Sequence, residues 1–321
     1  MSTKELNSNH WEELQNIALK LAEGVVSQSL STQPSQNVFG RRVQQSTEGD
    51  IGFNLGLAAT GLRTVAFLRS NEIDDAVALI KQAVDQQLAT VLVLQYSSIS
   101  QITQFSTTGA FILSAATWQE AADLLCIAQH TSESTLIPGV IAIPDKINNN
   151  VDAIELDFQK AKNYLGNPDE WVTAPTPSQK LIFGEKRKRI PNWFDPDLPV
   201  AMGAVKNDTD TLYQKAAHHH FFQNHLTELL EKAYSEYSAI FGRKYTSLVS
   251  SAKKANYSLI ATGVEEHLLN TACEKSDKHS SVNYLLIRLL CPLPEEELKL
   301  QTAKSEGITV LDQSSDRGFT K

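Results

Sequence analysis

Arg63-Thr-Val-Ala-Phe-Leu68, then Asn71 to Gln87, then Leu88-Ala-Thr-Val-Leu-Val-Leu94 form the stretch that decides the fold. The outer pieces are almost continuously apolar. The piece between them places Ile73, Val77, Ile80 and Val84 on one face at helical spacing. The alternation continues through strand-like Ala110-Phe-Ile-Leu113, a helix from Thr117 to about His130, and strand-like Gly139-Val-Ile-Ala-Ile143. Strands without a polar face, alternating with helices, predict an α/β protein whose parallel sheet is covered on both sides.

Working outward, Trp11 to Gly24 carries Leu14, Ile17, Ala18 and Leu21 at helical spacing, and Ser27 to Gln36 reads as a polar loop. Beyond the core stretch the composition shifts. Seven of the eleven prolines fall between Pro144 and Pro199, which predicts an irregular linker wrapping the first domain. Within it Lys186-Arg-Lys-Arg189 reads as a solvated loop face. Tyr213 to Phe241 reads as one long helix stopped by Gly242. A second α/β segment follows, with strands at 257–261, 283–288 and 308–311 and helices at 264–273 and 295–305. Three strands and two helices make a thin domain, one that another chain would complete. The predicted organisation is a domain over 1–150, a linker with a long helix over 151–245, and a small domain over 246–321.

Composition narrows the function classes. The 321 residues carry 29 basic and 37 acidic side chains, net −8, which disfavours binding to a phosphate backbone and predicts no nucleic-acid partner. No apolar run approaches the ~20 residues of a spanning helix, and Met1-Ser-Thr-Lys-Glu5 lacks an apolar signal region, so no membrane association is expected. Cys126, Cys273 and Cys291 are scattered and odd in number, as expected of reduced thiols in a cytoplasmic protein with neither a zinc site nor an iron–sulfur cluster of its own.

Two constellations invite a chemical reading. Gly49, Gly52, Gly56 and Gly61 follow Ser46-Thr47-Glu48. A phosphate-binding turn needs its glycines between a strand and a helix, and here Gly52 and Gly56 sit four apart inside a helix, so close approach of a neighbour is the better reading. His218-His-His220 with His225 could suggest a metal, but successive helical residues point ~100° apart and do not converge, so no metal site is expected. There is no Gly-x-Ser-x-Gly turn and no suggestive Cys/His spacing.

The glycine series nonetheless carries a resemblance. Ser46-Thr-Glu-Gly-Asp-Ile-Gly-Phe-Asn-Leu-Gly-Leu-Ala-Ala-Thr-Gly-Leu62 resembles the stretch after the first strands of pyruvate:ferredoxin oxidoreductases and related 2-oxoacid:ferredoxin oxidoreductases. Thr64 to Ser70 and Thr108 to Leu124 are similar to later pieces of the same thiamine-diphosphate pyrimidine domain. Met202-Gly-Ala-Val-Lys-Asn207 with Tyr213-Gln214 resembles the link to the next domain. Phe241-Gly-Arg-Lys-Tyr245 resembles the family's Thr-Gly-Arg-x-Tyr turn, and Ile260-Ala-Thr-Gly263 and Val310 to Ser315 resemble its transketolase-C-terminal-like domain. The resemblance implies a pyrimidine-type domain followed by a partial transketolase-C-terminal-like domain. It implies a component of a 2-oxoacid:ferredoxin oxidoreductase-like complex in which thiamine diphosphate, Mg²⁺ and iron–sulfur clusters need a diphosphate-domain or iron–sulfur partner chain. No cofactor is expected in this chain alone.

The departures from that pattern are specific. The family's glutamate, which activates the cofactor's aminopyrimidine, falls on Thr47, and the carboxylate Glu48 comes one residue late. Gln33 stands where a substrate-touching threonine falls, and Leu94 to Gln101 holds no arginine for a 2-oxoacid carboxylate. Thr47, Glu48 and Gln33 are therefore the catalytic candidates, and Gly49, Gly52 and Gly56 the cofactor-side candidates, with an interface the better reading of the glycines. The alternative is a catalytically silent homologue serving assembly or dimerisation, as in the N-terminal region of sulfite reductase flavoprotein subunits. Either way the apolar helix bearing Gly52, Gly56, Leu55, Leu57 and Leu62 is expected to meet a second chain, a copy of itself or a catalytic partner.

Overall fold

The computed structural model describes residues 3–28, 30, 36–46, 50–70, 73–147, 153–193, 218–220, 222–251, 255–276 and 281–311. The first half builds helices α1 (Thr3–Leu21), α2 (Ile51–Ala59), α3 (Ile73–Asp85), α4 (Ile99–Ser106) and α5 (Trp118–Thr135). They alternate with strands β1 (Gly24–Val26), β2 (Gln44–Ser46), β3 (Thr64–Arg69), β4 (Thr90–Tyr96), β5 (Phe111–Ser114) and β6 (Gly139–Pro144). The six strands are parallel, in the order β5-β6-β4-β3-β1-β2.

Alternate residues of β3 and β4 explain the absence of a polar face. Val65, Phe67, Val91 and Val93 pack beneath α1 and α5 with Trp11, Leu14, Trp118 and Leu124. Ala66, Leu68, Leu92 and Leu94 pack on the other side with Ile51, Leu55, Ile80, Ile102 and Phe105 of α2, α3 and α4. Pleating sends successive side chains to opposite faces, so a sheet covered twice reads as a continuous apolar run.

The stretch predicted to be irregular holds regular elements. These are α6 (Phe158–Leu165), β7 (Trp171–Thr173), α7 (Pro177–Phe183) and β8 (Lys186–Lys188). Its prolines do not break them, because Pro177 occupies the first turn of α7, where a missing N–H costs nothing. Ala161, Tyr164 and Leu165 of α6 join the core cluster of α1 and α5. The expected long helix is also shorter. Within the described residues α8 runs Leu226–Phe241, preceded by a short 3₁₀ turn at Gln223–His225. Gly242 ends it with φ 79°, as a left-handed cap should.

The last third forms β9 (Leu248–Ser250), β10 (Tyr257–Ala261), α9 (Glu266–Ser276), β11 (Val282–Ile287), β12 (Leu289–Cys291), α10 (Glu295–Thr302) and β13 (Gly307–Leu311). A four-stranded sheet, β13-β10-β11-β9, is parallel except for β9. After Ile287 the chain passes through one residue, Arg288, and enters β12, which pairs antiparallel with β5 as the seventh strand of the first sheet. Strands β9 and β12 are too short to announce themselves in the sequence.

Candidate functional site

Parallel α/β sheets bind ligands outside the carboxyl ends of their strands. That edge here is made by Ser27 after β1, Ser46 of β2, Arg69 of β3, Tyr96 of β4, Ser114 of β5 and Pro144 of β6. α2 starts on this edge. Its cap is Asp50, whose carboxylate accepts from Phe53 N at 3.3 Å. Gln33, Thr47, Glu48 and Gly49, four of the residues singled out from the sequence, lie outside the described residues.

Gly52 and Gly56 are both on α2, and the structure separates their roles. A Cβ at Gly52 would lie 2.9 Å from Asp50 Oδ1, so this glycine makes room for the helix cap. A Cβ at Gly56 would meet nothing within 4 Å. Gly56 is exposed beside Phe53, which is 39% exposed. The leucines do not share that face: Leu55 is buried in the core, and Leu57 turns toward Gly24. The open stripe is thus Gly52, Phe53 and Gly56.

The region that lacks an arginine is occupied by a capping box. Ser98 caps α4, and Gln101 Oε1 accepts from Ser97 N at 2.9 Å and Ser98 N at 3.3 Å. Gln101 Nε2 donates to Ser70 O at 2.9 Å, which ties the end of β4 to the end of β3. The other half of the edge is closed by the second sheet. Gly263, at φ 65°, follows β10 and sits on the ends of β4, β5 and β6. A Cβ there would lie 2.9 Å from the Tyr96 hydroxyl and 3.1 Å from Pro144 Cγ. The Ser114 hydroxyl is buried beside it without a hydrogen-bond partner among the described residues. Among the described residues this turn leaves the β3, β1 and β2 end of the edge uncovered.

Two clamps hold the second sheet and α8 in place. Asp123 of α5, fully buried, accepts from Tyr237 at 2.8 Å, Tyr245 at 2.6 Å and Gln119 at 2.9 Å, and takes both Nε and Nη2 of Arg243 at 2.5 and 2.8 Å. Burial, reinforced by this carboxylate, pushes the Tyr237 and Tyr245 hydroxyls up. The Phe241 to Tyr245 turn therefore serves as a structural latch. The second clamp is Arg288, whose Nε donates to Glu120 at 2.6 Å and Nη1 to Thr246 O at 2.7 Å, while its carbonyl accepts from Ser114 N at 2.7 Å.

The basic run is not the solvated face expected of it. Arg187 is buried, donating to Gln179 Oε1 at 2.8 Å, Glu133 O at 2.7 Å and Arg189 O at 2.6 Å. Desolvation lowers its pKa to about 9. Arg189 pairs with Glu170. Only Lys186 and Lys188 face outward, because strand alternation turns Arg187 inward. Among the described residues no group of three or more His, Cys, Asp or Glu could hold a metal ion. Among the described residues no helix is long and apolar enough to cross a membrane.

No protein-family profile matches the chain. Over 204 residues, 61% of the chain, it is 26% identical to pyruvate synthase subunit PorA of Methanothermobacter thermautotrophicus, and the match spans 47% of that subunit. The chain thus spans about half the length of the curated relative it matches. Among solved structures, 2-oxoglutarate:ferredoxin oxidoreductase from Magnetococcus marinus superposes over 95% of this chain and 57% of its own, with a TM-score of 0.58 and 10% identity. A split-gene transketolase in an inactive β4 tetramer gives 0.51, covering 97% of this chain and 79% of its own at 11% identity. Transketolase from Campylobacter jejuni gives 0.50, covering 97% and 40% at 10% identity. With a parallel pyrimidine-type sheet, a smaller α/β sheet seated on its carboxyl edge, and a glycine-bearing helix that starts on the same edge, the chain has a 2-oxoacid:ferredoxin oxidoreductase-like fold.

Proposed function

We propose that this chain is the pyrimidine-domain and transketolase-C-terminal-like component of a 2-oxoacid:ferredoxin oxidoreductase-like complex, working in the cytoplasm with partner chains that bring the diphosphate site, Mg²⁺ and the iron–sulfur clusters. The three units proposed are 1–150, 151–245 and 246–321. The observation that carries the reading is the open α2 stripe of Gly52, Phe53 and Gly56, on a helix that starts at the carboxyl edge of the large sheet. The match to an oxidoreductase subunit supports it. In this reading Thr47, Glu48 and Gly49, which precede Asp50 in the sequence, and Gln33 remain the candidate site residues. The described residues offer no acid or histidine cluster to anchor Mg²⁺, and Asp50 is spent on its helix cap. No step through thiamine diphosphate is therefore assigned to this chain. A catalytically silent assembly subunit is the second reading, favoured by Thr47 in the glutamate's place.

Gly56→Leu tests the interface. The position is open within the chain, so the fold should survive, and replacing a helical glycine should raise stability by up to about 1 kcal/mol. Against a partner seated on the stripe, the added side chain should cost about 1–3 kcal/mol of binding. Co-sedimentation with a diphosphate-domain chain is the measurement. Unchanged association, or loss of the fold, would remove the stripe as an interface.

Isolated chain titrated with thiamine diphosphate and Mg²⁺ in a calorimeter should give no saturable heat. A micromolar, Mg²⁺-dependent dissociation constant would overturn the division of the cofactor site between chains.

A further inference from the structure

The β7–β8 pair presents a cationic face in an acidic chain. Its register sets Trp171 opposite Lys188 and Thr173 opposite Lys186, so these four side chains share one face. Val172 and the buried Arg187 turn to the other. Trp171 is 55% exposed, Lys186 is exposed and Lys188 is half-buried. Among the described residues neither lysine pairs with a carboxylate, and no ring or cation sits on the Trp171 indole. The neighbouring acids are engaged elsewhere: Glu185 with Lys180 at 2.9 Å, Glu170 with Arg189, and Asp169 with Arg41. Beneath the face, Arg187 donates only to carbonyl oxygens and the Gln179 amide, while the Glu133 carboxylate is taken up by Arg63. Three successive cations thus stand without a carboxylate of their own in a chain of net charge −8. Clustered like charges oppose folding, and a solvated tryptophan among them is the type of anchor that interfaces enrich.

We infer that this face docks a short extended segment of a partner chain carrying two carboxylates two residues apart. Side chains on one side of a strand repeat at about 6.7 Å, so Lys186 and Lys188 match the spacing of acidic residues at alternate positions of an extended segment. The indole, directly across from Lys188, offers apolar surface to the residue flanking the acids. The ends of the face limit what it accepts. Asp169 and Glu170 precede Trp171 at one end, and Glu185 precedes Lys186 at the other, so negative charge continuing past the two lysines meets acids. That favours a short acidic motif over a nucleic-acid strand, which brings a phosphate with every nucleotide.

Fluorescence anisotropy of labelled peptides titrated with the full chain is the test. A short peptide of alternating glutamate and serine should bind saturably, and more weakly as salt rises. Lys186→Gln with Lys188→Gln should weaken binding at least about tenfold, and Trp171→Ala several-fold, with melting unchanged. Lys81→Gln, at an exposed lysine on α3, should change nothing. The same glutamates and serines arranged in adjacent pairs should bind several-fold more weakly, because only alternation matches the lysine spacing. No saturable binding overturns the inference, as does binding indifferent to the two lysines or equal affinity for the two peptides. A single-stranded oligonucleotide that binds more tightly than the alternating peptide overturns it too, and assigns the face to nucleic acid. Should the double variant lose its fold, Lys186→Gln alone must still weaken binding, and unchanged affinity there overturns the inference.

Discussion

Glu133→Gln should cost about 3–5 kcal/mol of folding stability, the largest loss expected from any single substitution in this chain. Arg63 and Glu133 are both fully buried and form a two-pronged pair, Nε to Oε1 at 2.5 Å and Nη2 to Oε2 at 2.9 Å. Arg63 Nη2 also donates to the carbonyls of Leu165 and Gly166 at 3.3 and 3.1 Å, so the pair fastens α6 to the amino end of β3. Neutralising the glutamate leaves a guanidinium buried without its counter-charge. Removing both charges should be far milder: Arg63→Met with Glu133→Leu replaces the pair by apolar volume. Urea unfolding of the wild type and the two variants checks this, and a double variant no more stable than Glu133→Gln would refute the account.

The same carboxylate sets an acid limit. Burial alone would raise the Glu133 pKa, but Arg63's charge and hydrogen bonds outweigh it and hold the carboxyl below its ordinary 4.5. A group depressed on folding adds stability that is fully present above the unfolded value and lost as pH falls through the folded one. Stability should therefore decline below about pH 4.5, and Glu133→Gln should flatten that slope. Glu23 works against it: burial raises its carboxyl, so protonating Glu23 in acid favours the fold.

Asp123→Ala should be nearly as damaging, by about 3 kcal/mol or more, because it strands one guanidinium and two hydroxyls that now share a buried acceptor. Tyr245→Phe removes one of those bonds and should cost about 1 kcal/mol. The diagnostic is non-additivity. Asp123→Ala combined with Arg243→Met should be less than the sum of its parts, since the second change removes the cation the first leaves unpaired. Strict additivity in denaturant titrations would show that Arg243 does not depend on Asp123.

Neither carboxylate announced itself in the sequence. Asp123 and Glu133 sit in a helix of mixed composition, where a charge ordinarily marks the wet face. Here α5 is enclosed by the sheet on one side and α1, α6 and α8 on the other, and only tertiary contact shows that both charges point inward. The turn from Phe241 to Tyr245 was recognisable as a pattern, but not its partner. The central strands were legible because continuous apolar runs have few other uses, and α3 because its stripe is regular. α4 was missed: its apolar positions Ile99, Ile102 and Phe105 are separated by serine, threonine and glutamine, which weigh toward loop. The basic run was misread because four adjacent charges suggest solvent, whereas strand alternation sends one inward to a buried acceptor. Of the candidate site, the glycine helix was legible and its leucines were assigned to the wrong face.

The passage of β11 through Arg288 into β12 also constrains how the molecule comes into being. β5 leaves the ribosome long before β12, the strand that covers its outer side. Until β12 emerges the large sheet carries an open flank, and closing it requires a contact of very long sequence separation. The nascent chain therefore has a vulnerable interval, in which the newborn sheet is open to misassociation until residues 289–291 arrive.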